Sequence, residues 1–209
     1  MADLETTAAA LKLLGGRLCL DFANTVDWHA SDHPQEFLNS YADLVGWSEH
    51  AGVLSAPQAQ ALLREAQRRP ADATTAHRRA LALREALYRL FSSLAHGRRA
   101  AKDDLAELHD ALTRALPQLR LAWLGGRFTW TWAEDPLALD RMLWPVAWSA
   151  ARLLTSDELG RVRECTGEGC GWLFLDQSRN RSRRWCAMED CGNRAKARRY
   201  YARRRGKTS

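Results

Sequence analysis

Cys165-Thr-Gly-Glu-Gly-Cys170 and Cys186-Ala-Met-Glu-Asp-Cys191 form two Cys-x4-Cys pairs, and an arginine-rich segment follows directly after the second. Zinc favours a tetrahedral set of thiolates. Two such knuckles bring four sulfurs together and leave the chain between them free to form a hairpin. Disulfide pairing is the competing use of the same thiols. The start of the chain argues for zinc: Met1 to Ala10 contains Asp3 and Glu5 and has neither a basic leader nor a continuous apolar stretch, so a reducing cytoplasmic environment is expected. Cys165, Cys170, Cys186 and Cys191 are therefore the expected zinc ligands. Cys19, in Leu18-Cys-Leu-Asp-Phe22, has no neighbouring ligand and reads as a buried small hydrophobe rather than a reactive thiol.

The chain has 209 residues, enough for one substantial core and a small appended module. A division near Thr155 to Gly160 is expected, with residues 1–158 helical and 159–209 forming the zinc module; Thr155 and Glu158 have capping-box spacing. The longest apolar region, Leu137 to Leu154, is broken by Asp140, Arg141 and Arg152, as in a core helix rather than a membrane span. The net charge of +6 is unevenly placed: 14 basic residues face 5 acidic ones from Arg161 onward, against 17 and 20 before it. A local basic surface of this kind predicts a polyanion partner, most plausibly nucleic acid.

In the larger part, Leu18 to Val26 fits strand or helix equally. Ser55-Ala-Pro-Gln58 opens a helix with a capping box and a proline in its first turn. Leu83, Leu87, Leu90 and Leu94 mark one amphipathic helix, and Leu105, Leu108, Leu112 and Leu116 another. The period then changes to two. Leu119, Leu121 and Trp123 alternate, Gly125-Gly126 turns the chain, and Phe128, Trp130 and Trp132 alternate on the return, giving one small β-hairpin. Asp135-Pro136 is expected to open a last helix that Pro145 bends or divides.

The richest polar cluster in this part is Asp21, Asn24, Thr25, Asp27, His29, Asp32 and His33. It has groups able to bind metal or move protons, but lacks a His-Glu-x-x-His spacing, so capping and turn roles are the better reading. No nucleophile elbow, P-loop or dinucleotide fingerprint occurs. Of nine tryptophans, seven lie outside the zinc module. They read as core, with an apolar ligand pocket as the alternative.

In the C-terminal module, Gly167, Gly169 and Gly171 surround Cys170 and let backbone amides wrap a metal-bound sulfur. Trp172 to Asp176 reads as one strand of a hairpin, Gln177 to Ser182 as its turn, and Arg183-Arg-Trp185 as the return to Cys186. A final helix from about Arg194 to Arg205 places Ala197, Tyr200 and Tyr201 on a stripe that could dock on the metal module, with arginines around the rest. Knuckle, hairpin and basic helix together make a treble-clef-like arrangement. Four thiolates around one zinc carry a formal −2 charge, so two or three arginines could serve only to balance the site. The basic tail could also be a solvated extension.

Cys165 and Cys170, Trp172 to Asp176, Ser178-Arg-Asn-Arg-Ser-Arg-Arg-Trp-Cys186 and Cys191-Gly-Asn-Arg194 with Lys196 closely resemble the CGNR zinc finger over about the last fifty residues. Gly16, Leu20-Asp-Phe-Ala-Asn-Thr25 and Trp47 resemble the ABATE domain commonly fused to it. The resemblance implies a mainly helical N-terminal domain, a DNA-binding finger, and a role among bacterial stress-induced transcription regulators. The expected function is a cytoplasmic DNA-binding regulator, not an enzyme, with zinc as cofactor and no catalytic residues. Its N-terminal part would sense a small-molecule effector or associate as a homo-oligomer. Arg181, Arg183, Arg184, Arg194, Lys196, Arg198, Arg199 and Arg203 are the expected DNA contacts, and Asp21, Asn24, Thr25 and Trp28 the candidate effector contacts. The alternative is a small-molecule enzyme in the N-terminal domain, with the zinc module as a nucleic-acid or protein tether.

Overall fold

The computed structural model describes residues 7–133, 135 and 138–205, and its fold is mainly α. The spine is helix α4 (Pro70–Ala95), roughly 39 Å long, whose buried Ala73, Ala76, Ala80, Leu83, Leu87 and Leu90 follow the three-to-four spacing. Around it lie α1 (Leu18–Ala23), α2 (Tyr41–His50), α3 (Ala56–Arg68) and α5 (Lys102–Ala115), with α6 (Leu143–Leu154) packed on α1 and α5. Leu18 to Val26, open between strand and helix in the sequence, forms α1 and then the short strand β1 (Val26–Asp27), which pairs with β2 (Gln35–Glu36). The capping box at Ser55 is present, its backbone amide donating to Gln58 Oε1 at 2.9 Å. Phe22 and Trp47 meet at 5.1 Å in the centre, where each fully buried large side chain stabilises by roughly 1.5–3 kcal/mol.

Several local expectations need correction. Helix α5 buries Leu108 and packs a half-buried Leu112 against the core, but Asp104, Ala111 and Ala115 share that face, the alanines allowing close approach to its neighbours; Leu105 and, just past the helix, Leu116 are exposed. Helix α6 begins at Leu143, so Pro145 lies in its first turn, where its missing N–H is not needed, and the helix is not divided. Pro136 lies outside the described residues. Thr155 ends α6 rather than starting a helix: its hydroxyl donates to the Ala151 carbonyl at 2.9 Å.

The hairpin β3 (Leu119–Leu124) and β4 (Arg127–Trp132) has the expected register, Leu119 opposite Trp132 and Leu124 opposite Arg127, around Gly125 and Gly126 at φ 57 and 80. Its base is rooted through Trp132 against the buried Trp144 at 6.2 Å. Of the tryptophans expected in the core, Trp123 and Trp130 are exposed.

The C-terminal hairpin consists of β5 (Val162–Glu164) and β6 (Leu173–Leu175), with Val162 opposite Leu175. The strand partner of the Trp172 segment thus precedes it; the Arg183–Trp185 return does not pair with it. All three β6 residues are buried. The buried side chain of Asn24 staples this strand to the helices. Its amide nitrogen donates to the Leu173 carbonyl at 2.8 Å, and its oxygen accepts from the Leu173 amide at 2.7 Å. Farther along, Leu175 N–H donates to Gly15 O at 2.9 Å and Trp172 Nε1 to Val26 O at 3.1 Å.

Asn24→Ala leaves two buried backbone groups without partners, at about 1–3 kcal/mol each. A loss of about 2–4 kcal/mol is expected, seen as a lower urea midpoint with an unchanged slope. An unchanged midpoint would show that the staple is dispensable.

Candidate metal centre and basic helix

The first knuckle forms the tip of the β5–β6 hairpin. The Cys165 amide donates to Trp172 O at 2.8 Å, extending the ladder, and Cys170 N–H closes the loop on Gly167 O at 3.0 Å. The second pair comes from a loop and a single π turn, Met188–Gly192, which carries Cys191 into helix α7 (Asn193–Arg205). Asn193 sits inside the helix and donates back to Glu189 O at 3.1 Å.

All four thiols are buried and free, and their sulfurs lie within 4.8 Å of one another. Around a tetrahedral zinc with bonds of about 2.3 Å, sulfurs stand roughly 3.8 Å apart; Cys170 to Cys186 is 3.7 Å and Cys186 to Cys191 is 3.8 Å. A disulfide would require about 2.05 Å. Hydrogen bonding from Cys170 and Cys186 holds the Cys165 thiol far below its ordinary value, while hydrogen bonding with Cys165 and Cys186 pushes Cys170 far above it. Four sulfurs this close can all be thiolates only around a cation. Amides of Gly167 and Cys186 approach Cys165 Sγ at 3.4 and 3.3 Å, and Arg194 Nη2 approaches Cys191 Sγ at 2.9 Å. Donor set, spacing and burial are those of a structural zinc site, which leaves no open position for substrate.

Gly167 is required by space: a Cβ there would meet Cys191 Sγ at 2.8 Å. Gly171, at φ 71, admits a strap formed by residues 27–31, since a Cβ would meet the Ala30 amide at 2.9 Å and Tyr88 Oη at 2.8 Å. The strap is tied by the His29 amide donating to Cys170 O at 3.1 Å. The His29 ring stacks on Tyr88 at 3.5 Å and reaches Glu85 at 3.1 Å. Burial pushes Glu85 up, but His29 and Arg84 outweigh it and hold the carboxyl at about 2. Arg84, buried, pairs with Glu36 at 2.6 and 2.7 Å.

The candidate effector residues have internal partners. Asp21 accepts from Gly15 N–H at 2.7 Å, and burial pushes its carboxyl up to about 6. Asn24 is the staple, and Thr25 Oγ1 donates to Phe22 O at 2.8 Å. Trp28, at φ 54, lies under the Arg194 guanidinium at 4.5 Å. A cavity of about 340 Å³ does lie against the metal centre, walled by Lys12, Asp27, Gln35, Trp172, Asp190 and Arg194, with three of the cysteines on its floor. Nothing in the sequence signalled it, since Lys12 is paired with Asp190 at 2.7 Å across most of the chain. Cys19 is fully buried, and burial pushes its thiol up to about 12, the state of an inert core residue.

The basic residues divide by surroundings. Arg183 donates to the carbonyls of Trp185 at 3.0 Å and of Cys186, and lies over the Phe174 ring at 4.4 Å. Arg194 is held by Cys191 and Trp28. Arg198 pairs with Glu168 of the first knuckle. Arg181, Arg184, Lys196, Arg199 and Arg203 have no carboxylate partner among the described residues. Tyr200 and Tyr201 are exposed, so the expected docking of that stripe on the metal module does not occur. Among the described residues no helix is long and apolar enough to cross a membrane.

A family model, ABATE, described as a putative stress-induced transcription regulator, matches residues 16–157, and the CGNR zinc finger model matches residues 161–204. No curated protein matches the chain.

Chelation of the metal should unfold the finger, with loss of the β5–α7 signals by NMR. Through the Asn24 staple it should also lower the melting midpoint of the helical part by roughly 5 °C or more. Persistence of the finger signals in metal-free protein would contradict a structural metal. Gly167→Ala keeps all four thiols but displaces Cys191, so a chromophoric chelator should report zinc affinity at least about tenfold weaker.

Proposed function

The chain belongs to the ABATE family, and from that premise we propose that it is a cytoplasmic DNA-binding transcription regulator whose zinc finger presents α7 to DNA. The observation that carries this reading is the exposed basic surface of α7, with Lys196, Arg198, Arg199, Arg203 and Arg204 all exposed on one projecting helix. At roughly 20 Å long, such a helix fits a major groove about 12 Å wide.

Arg181, Arg184, Lys196, Arg199 and Arg203 supply the phosphate contacts in this proposal, and Arg198 joins them by exchanging Glu168 for phosphate. Arg183 and Arg194 act one step back, holding the second knuckle and the start of α7. The helical part, residues 1–158, is the regulatory partner of the finger, residues 159–209. An effector in the cavity beside the metal centre would touch Lys12 and Arg194 together and so bear on the first turn of α7. Asn24 ties the helical part to the finger, and Asp21 and Thr25 bond backbone within the helical part, instead of meeting that effector. Their hydrogen bonds to backbone also favour a structural strap over the alternative of an enzyme in this part.

Affinity for duplex DNA should fall roughly a thousandfold between about 50 and 200 mM salt if about six phosphates are neutralised. Lys196→Ala and Arg199→Ala should each flatten the salt slope by about one, whereas Arg194→Ala should weaken zinc binding as well. Salt-independent affinity, measured by fluorescence anisotropy, would refute the reading.

A further inference from the structure

The β3–β4 hairpin carries a surface that the fold itself leaves uncovered. Its alternation puts Leu119, Leu121 and Trp123 beside Trp132, Trp130 and Phe128 on one face, and Arg120, Ala122, Leu124, Arg127, Thr129 and Thr131 on the other. At the outer end of the apolar face, Leu121 is 57% exposed, Trp123 62%, Phe128 68% and Trp130 56%. Trp123 and Phe128 meet edge to face at 4.9 Å, so the patch is already ordered. The sheet has two strands only, so each also presents an unpaired edge. An isolated two-stranded hairpin is marginal in water, and an apolar face of this kind requires a cover.

We propose that the cover is a second copy of this chain, docked through the same face about a two-fold axis. Two features favour a second copy. The face carries no charged side chain, so its apposition to itself brings no like charges together, and an isologous contact needs only self-complementarity. The area also suffices. At roughly 150–250 Å² for a whole aromatic side chain, the four residues leave on the order of 500 Å² open, so two copies that cover it fully bury about 1,000 Å², the threshold for a biological interface and the range of a weak, reversible dimer. Partly exposed Leu119 and Trp132 extend the contact at the base. Arg120 lies on the opposite face, its guanidinium donating to the Pro117 carbonyl at 2.6 Å, and stays clear of the contact. The proposal is independent of DNA binding and concerns the free protein.

Sedimentation equilibrium of the full-length zinc-loaded protein without DNA, from about 1 to 100 µM, tests it. The expected mass is twice the 23.6 kDa of one chain at the upper concentrations, with tryptophan emission moving to the red on dilution. Trp123→Glu and Phe128→Glu should each weaken the dimer about a hundredfold or more, whereas Thr129→Glu, on the other face, should leave it intact. Circular dichroism and one zinc per chain verify that each variant is folded. A wild-type chain that stays monomeric at 100 µM overturns the proposal, whether or not it binds anionic vesicles. So does a folded Trp123→Glu protein that still dimerises, or tryptophan emission independent of concentration.

Discussion

A strand buried on both faces must have its backbone polar groups met by protein, and β6 is such a strand. On one edge it pairs with β5; on the other, Asn24 supplies a donor and an acceptor to Leu173, and Gly15 supplies a carbonyl to Leu175. The helical part thus completes the sheet of the finger. Two consequences follow. The finger cannot swing on a free linker, because separation would leave Leu173 and Leu175 unsatisfied. The segment from Gly15 to Ser31 must also run along the finger, which places Trp28 and His29 beside the first knuckle.

The same proximity shapes the electrostatics of the metal centre. Four thiolates around zinc leave a net negative charge in a buried place, and cations are drawn to it. Arg194 approaches Cys191 directly and lies over Trp28, a residue of the helical part in a left-handed backbone conformation. Arg183 stacks on Phe174 and donates to the carbonyls that shape the second pair. These two arginines serve the fold, as charge balance alone would require of two or three. The other basic residues gain nothing from the finger's interior, and their exposure needs another explanation.

Much of this was legible in the sequence where a local rule dictates the outcome. Cys-x4-Cys spacing, the capping box at Ser55, the α4 leucines and the Gly125-Gly126 turn each involve residues a few positions apart, and each appears as read. What was not legible depends on partners distant in the chain. The partner of β6 was misassigned because downstream and upstream segments look alike without knowledge of Asn24. Thr155 carries the same hydroxyl at either end of a helix, and only the preceding α6 makes it a terminator. The stripe of α5 was read from leucines although alanines decide how closely helices approach. In α7, Tyr200 and Tyr201 have the spacing of a buried stripe, but arginines flank them on both sides and both rings are exposed.

Two exposed surfaces among the described residues, the apolar face of β3–β4 and the basic circumference of α7, share a physical property. Each belongs to an element whose backbone hydrogen bonds are internal, an antiparallel ladder in one case and a helix in the other, so each can project without help from the core. Side chains there are exposed, unlike the buried Asn24 and Phe22. Substitutions on these surfaces should therefore alter association while leaving the fold in place, and substitutions at the staple or knuckle should do the reverse. An apolar stripe of aromatics and a dense run of arginines are both costly to leave in water, through aggregation in the first case and self-repulsion in the second. Covering the hairpin with its own copy and the helix with a polyanion would remove both costs.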